Sequence, residues 1–332
     1  MNPQGTETNR SAAGPAARTG FVYDKRYLEH LAGPTGHPER PERLTAILEE
    51  LRQTGLLQSL HQLTPRSATE EELALAHDPS YVALVNREAS QVSGLQMLST
   101  GDTLLSAASL EVARLAAGGV LVAADAVMRG EVRNVFCAVR PPGHHATRDR
   151  GMGFCIFNNV AVAARSLQKK HGIGRALIVD WDYHHGNGTM DIFYSDGTVF
   201  YFSTHEYGVY PGTGHPAETG EGSGRGTTLN VPLPAGASDE QILRAMEAHL
   251  VPAAQQFRPE FVLVSAGFDP MREDLLGRFD VTSDGFAKMT LLVRQLAEQL
   301  CGGRLVSVLE GGYRLDGLAA SVAAHLRALE QK

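Results

Sequence analysis

The strongest constraint on what this chain can fold into is an alternation. Short apolar runs, FVYD (21–24), VFCAV (135–139), ALIVDWD (176–182), VFYFST (199–204), FVLVSAGFD (261–269) and RLVSVLEGG (304–312), are separated by longer amphipathic stretches. Runs this apolar suit strands buried on both faces, and such strands belong to parallel sheets covered by helices. The pattern predicts helices over 41–54, 106–129, 157–171, 239–256, 284–300 and 315–330, each beginning near a Ser, Asp, Asn or Pro. The expected fold class is α/β, a three-layer open parallel sheet in a single domain. Residues 1–19 are polar and rich in Gly, Pro, Ala and Thr, which predicts a flexible N-terminal tail before a domain spanning 20–332.

Composition narrows the function classes. With 43% hydrophobic residues over 332 positions, the chain can bury a large core, which excludes a disordered or fibrous protein. A formal charge of −7 offers no global positive field, so neither direct nucleic-acid binding nor an anionic membrane surface is expected. Cys137, Cys155 and Cys301 form no CxxC, which argues against a disulfide framework or zinc ribbon and fits a reducing compartment. No apolar run approaches the roughly 20 residues of a membrane span. The expectation is a soluble, cytoplasmic protein, with homo-oligomerisation left open.

Chemistry concentrates just after the apolar runs. RPPGHHATRDRGMGFC follows the second, WDYHHGNGT the third, Asp269 ends the fifth and Tyr313 follows the last. Open parallel sheets collect ligands at strand carboxyl ends, so this convergence outweighs any single motif. Asp180, Asp182 and His184 alternate, which on an extended stretch aims them to one side. Two acids and an imidazole without cysteine suit zinc or iron, with Asp182 and His184 as two ligands, Asp269 as a third and water in an open position. Taken alone, Asp180 could equally be a helix cap and His184 a satisfied core histidine. His144 and His145 follow a Pro-Pro-Gly turn, where opposite a metal they can supply a base for water and an acid for a leaving amine. Tyr313, after two glycines, can aim its hydroxyl at a carbonyl oxygen. Other residues read blandly. His77 is either near a site rim or structural, Cys155 is an inert core thiol, and GEGSGRG (220–226) lacks the strand and Lys of a phosphate loop.

Seven segments carry a wider likeness: GHPERPERLTAI (36–47), RPPGHHA (140–146), GFCIFNNVAVAA (153–164), VDWDYHHGNGT (179–189), YPGTG (210–214), SAGFD (265–269) and LEGGY (309–313). Through them the sequence resembles the zinc-dependent histone deacetylase superfamily, which includes bacterial histone deacetylase-like amidohydrolases and acetylpolyamine amidohydrolases. The resemblance implies the arginase/deacetylase type of sheet. It also implies zinc on Asp182, His184 and Asp269, with His145 as general base and acid, His144 as its electrostatic partner and Tyr313 polarising the acyl carbonyl. Asp180 would orient His144 and, with Asp182, His184, Ser203 and the Thr204 carbonyl, bind potassium. A second cation site is implied near Phe193, Asp196 and Val199. Gly153, Phe154, Tyr210 and Leu276 would wall an acyl-lysine tunnel, and Arg43 would point into the interior behind the metal. Four departures bear on subtype. Tyr210 replaces a usual Phe in the tunnel wall and adds a hydroxyl to an apolar lining. Asn187 stands beside His145 where one branch has Asp, which looks like class II. Leu275 takes a usual Pro position, leaving the wall's shape open. Leu276 stands where a polyamine-selective relative carries Glu, so a cationic polyamine loses one attraction.

The expected activity is hydrolysis of acetyl or related acyl groups from lysine side chains of a protein or peptide. Deacetylation of polyamines or another small acylated amine is the nearest alternative. A noncatalytic acyl-lysine binder and a binuclear ureohydrolase are the more distant ones.

Overall fold

Eight strands, all paired in parallel, build one sheet: β1 (Thr19–Val22), β2 (His61–Leu63), β3 (Asn134–Cys137), β4 (Ala176–Asp180), β5 (Val199–Glu206), β6 (Thr228–Leu233), β7 (Phe261–Ala266) and β8 (Leu305–Leu309). Their order is β2-β1-β3-β8-β7-β4-β5-β6. The structure, a computed structural model, describes residues 18–33 and 35–331. The predicted tail therefore lies outside the described residues up to residue 17, but Thr19 does not belong to it. Its backbone pairs with Asn134 and its side chain is buried, so the strand opens one residue before the expected boundary.

Every residue of β3, β4, β7 and β8 is buried, as both-face coverage requires. One group of helices is α1 (Glu42–Gln53), α7 (Ser283–Cys301) and α8 (Leu315–Glu330), with α8 packed on both of the others; α3 (Ser109–Met128) and α4 (Asn159–His171) form a second. Local chemistry sets their limits. The Asn158 side chain accepts the Ala161 N–H to open α4, and Gly172 closes it in the left-handed region at φ 68°. Further helices are α2 (Pro79–Ala89), α5 (Asn187–Phe193) and α6, which starts as Asp239–Ala245 and runs through a π turn at Met246–Leu250 into Val251–Phe257.

The six predicted strands and six predicted helices are present. The edge strands β2 and β6 escaped prediction because edges tolerate short, polar and proline-containing sequence: β2 is HQL and β6 carries Pro232. One expectation needs correction. The alternation of Asp180, Asp182 and His184 suggested a single extended stretch, yet β4 ends at Asp180. Beyond it, Asp180 Oδ1 accepts the Asp182 N–H (3.1 Å) and Asp182 Oδ1 accepts the His184 N–H (2.9 Å). These local side-chain bonds replace the sheet ladder and turn the chain.

Candidate active site

The four strands whose ends carry the unusual polar residues are neighbours: β3, β8, β7 and β4 lie side by side at the centre of the sheet. Their carboxyl-end loops therefore open into one place, although the sequence spreads them over about half the chain. Asp182 and His184 come from the loop after β4 and Asp269 from the loop after β7. One nitrogen of His184 and one oxygen of each carboxylate lie within 4.8 Å of one another. His184 Nδ1 is 2.9 Å from Asp269 Oδ2 and 3.3 Å from Asp182 Oδ1. Main-chain donors aim the carboxylates: Tyr183 N–H bonds Asp269 Oδ1 (3.0 Å) and Gly311 N–H bonds Asp182 Oδ2 (2.8 Å). Glycine is required around them, because a Cβ at Gly267 would collide with the Asp182 carboxylate and one at Gly311 with that of Asp269.

This donor set fits a cation. Two fully buried carboxylates face a single imidazole, and burying unpaired charge is costly. Burial, together with the charge of Asp182, pushes the Asp269 carboxyl up to about 7. Asp182 is held well below the usual range, against its burial, by His144 and His184. Burial by itself would lower His184, but hydrogen bonds to Asp182 and Asp269 raise it to about 10.

The histidine pair sits beside this cluster, with ring centroids 4.0 Å apart. His144 Nδ1 is 3.1 Å from Asp180 Oδ2, and His145 Nδ1 is 2.8 Å from Asn187 Oδ1. The partners differ in charge, and so do the imidazoles. Burial works against a charged His144, yet Asp182 and Asp180 raise it to about 10. Burial and the neighbouring His144 and His184 push His145 well below 6.5, with Asn187 supplying only a neutral hydrogen bond. Two adjacent groups of the same type are thus pushed in opposite directions, the arrangement that separates acid and base roles.

A cavity of about 410 Å³ leads to these groups. All four predicted wall residues, Gly153, Phe154, Tyr210 and Leu276, line it, together with His145, His184 and Tyr313. The Tyr313 ring meets Phe154 edge-on at 6.0 Å and lies over the Arg43 guanidinium at 5.0 Å. Arg43 is buried behind the site as expected, donating to the carbonyls of Gly312 (2.6 Å) and Glu310. Tyr210 keeps its hydroxyl off the apolar wall by donating to Asp102 Oδ2 (3.1 Å). Ser203 lies opposite Asp180 in the β4–β5 register, with Thr204 next along, and the Ser203 hydroxyl meets His205 Nδ1 at 2.9 Å. Asp196, expected at a second cation site, is committed to Arg165 and Thr198.

Some residues fall elsewhere. His77 lies in the core, its Nδ1 against the Thr147 carbonyl (2.8 Å) and its Nε2 accepting the Asn158 N–H (2.9 Å), which makes it structural. Sequence reasoning missed four participants. Asp102 and Arg278 line the cavity, and Glu310 accepts the N–H groups of Gly143 (2.6 Å) and His144 (3.2 Å) under the histidine pair. Asp274 braces two loops, as described below. Asp102 and Arg278 sit beside motifs rather than in them, so spacing gave no signal; Glu310 stands inside LEGGY, where its burial was the unread feature.

Comparison with known proteins agrees with this geometry. Residues 37–329 match the histone deacetylase domain. The chain is 41% identical over 301 residues to a probable deacetylase of Archaeoglobus fulgidus, covering 90% of this chain and 82% of that protein. It is 44% identical over 302 residues to the human polyamine deacetylase HDAC10, covering 88% of this chain and 44% of that one. Its fold superposes on the crystal structure of the HDA15 HD domain with a TM-score of 0.89 and 39% identity, covering 94% of this chain and 88% of the other.

Proposed function

This chain belongs to the histone deacetylase family and is a deacetylase, and we propose that it works with zinc on acetylated or otherwise acylated lysine side chains. The observation that carries the reading is the meeting of Asp182, His184 and Asp269 with His145 and Tyr313 at one end of a single cavity. Zinc held by those three ligands would supply Lewis acidity for a water and for the acyl carbonyl. The remaining steps belong to side chains. His145 has Nδ1 committed to Asn187, so Nε2 is left to take a proton from the attacking water and return it to the leaving amine. His144, kept cationic by Asp180 and Asp182, discourages a premature charge on His145 and stabilises negative charge at the reacting centre. Tyr313 offers its hydroxyl to the carbonyl oxygen as charge gathers there, and burial, which pushes that hydroxyl's pKa well above 10, keeps it a donor. Phe154, Tyr210 and Leu276 give the lysine methylenes an apolar sleeve.

Leu276, which puts no charge on its part of the wall, favours neutral amides over polyamines; Arg278 at the cavity is paired with Glu206. Potassium at Asp180, Ser203 and the Thr204 carbonyl belongs to the same proposal, supported by the register that sets Ser203 against Asp180. Protein carrying one zinc per chain should turn over an acetyl-lysine peptide faster than acetylputrescine, lose activity to a chelator and respond to potassium. Absence of turnover across an acyl-chain series would refute the reading, and faster acetylputrescine turnover would reverse the substrate order. Among the described residues, no helix is long and apolar enough to cross a membrane.

A further inference from the structure

Tyr313 follows Gly311 and Gly312, and Gly312 sits at φ 114°, a conformation that leaves the chain free to swing unless something outside it holds the next residue. The structure shows what holds it. Asp274, in the loop after β7, accepts with Oδ2 the backbone N–H groups of Tyr313 (2.7 Å) and Arg314 (3.0 Å). Its Oδ1 accepts those of Leu276 (2.9 Å) and Gly277 (3.3 Å). One carboxylate thus ties the Tyr313 loop to the segment that carries the tunnel wall. The Arg314 side chain doubles the tie by pairing with Glu273 in the same loop. The wall shape that Leu275 left open is set by this carboxylate.

We infer that Asp274 is a positioning residue, which fixes where Tyr313 stands relative to the acyl carbonyl and couples that position to the wall at Leu276. Charge-assisted bonds to backbone N–H groups are the stronger kind, and four of them converge here on two oxygens. The link is reciprocal: a displacement of the Leu276 segment moves the carboxylate that holds Tyr313, and the reverse. The inference rests on the role given to Tyr313 in the proposed function.

A double-mutant cycle with the zinc-loaded, full-length chain tests it. Asp274→Ala should lower kcat by about 10- to 100-fold, the cost of misplacing an assisting group by about 1 Å, with KM changed less than about threefold. In a Tyr313→Phe background the same substitution should cost less than about threefold, because the hydroxyl it positions is gone. Amide hydrogen exchange at Tyr313, Arg314, Leu276 and Gly277 should speed up in both backgrounds. If the alanine variant does not fold, Asp274→Asn takes its place; it keeps one acceptor oxygen and should show a smaller loss of the same form. Equal fold losses in both backgrounds, wild-type kcat in the single variant, or unchanged exchange would each overturn the inference. Wild-type protein with bound zinc and no turnover would count against the deacetylase reading alone, since exchange is read without turnover.

Discussion

Glu39, Arg43 and Arg140 form one buried charged cluster, and buried Asp182 and Asp269 with the half-buried His184 form another. The first sets two guanidinium groups against one carboxylate, and carbonyl oxygens take up their remaining donors. Arg140 donates to Glu39 Oε2 (2.7 Å) and to the carbonyl of Tyr27 (2.8 Å), Arg43 donates to Glu39 Oε1 (3.1 Å), and the guanidinium pair holds Glu39 at about 2 despite its burial. The second has two acids against one imidazole and leaves Asp269 near 7. Buried charges persist only when paired. A cluster whose donors all end on acceptors within the fold holds the structure together, and one that gathers two carboxylates and an imidazole around one point can hold a cation. The two are also connected, because Arg43 holds the carbonyls of Glu310 and Gly312 that flank the Tyr313 loop.

The contrast breaks most sharply at Asp269. Asp269→Asn should cost at least about a thousandfold in kcat/KM and leave the protein without its divalent ion by elemental analysis, consistent with loss of the metal's contribution. The same substitution should leave metal-free stability unchanged or raised, since it removes repulsion; a large fall in the urea midpoint would show that this cluster is structural after all. Glu39→Gln should do the opposite. It strands two buried guanidinium groups and should destabilise the fold by about 3–5 kcal/mol in urea titration, an effect that zinc does not reverse. Tyr313→Phe should keep zinc and the urea midpoint and lose turnover by about 100- to 1,000-fold. Near-wild-type kcat/KM would remove Tyr313 from the mechanism.

The smallest effect is a pH dependence at the edge of the Glu39 cluster. His30, 3.7 Å from Glu39, has its pKa lowered to about 3, first by burial, with the raising effect of Glu39 partly offset by Arg140. In the unfolded chain it titrates near the ordinary value of about 6.5. The unfolded state therefore takes up a proton first as pH falls. Stability from this group is complete above about 6.5 and declines toward 3, by about 1 kcal/mol per pH unit within that window. Urea midpoints measured from pH 7 to 5 should fall in the wild type and fall less in His30→Gln.

Much of this was legible beforehand, and the limits of legibility have physical causes. Asp182, His184, Asp269, the histidine pair and Tyr313 stand out because metal and proton chemistry draws on few residue types. Glu310 and Asp274 do not stand out, because their work is to accept backbone N–H groups, and any acid can do so once the chain is brought within reach. The same holds for Gly267 and Gly311, whose missing Cβ matters only because carboxylates from other loops lie where it would be.

Periodicity is local, so the chain by itself settled which segments become buried strands, which become helices, and which donors follow them. Strand order is not local. That β8 and β7 return to lie between β3 and β4 depends on helix layers packing across the whole sheet, and no short stretch of residues encodes it. Only that order sets four distant loops side by side, and only the Asx bonds after Asp180 turn the chain so that Asp182 and His184 face Asp269. The donors were written in the sequence; their meeting belongs to the tertiary structure.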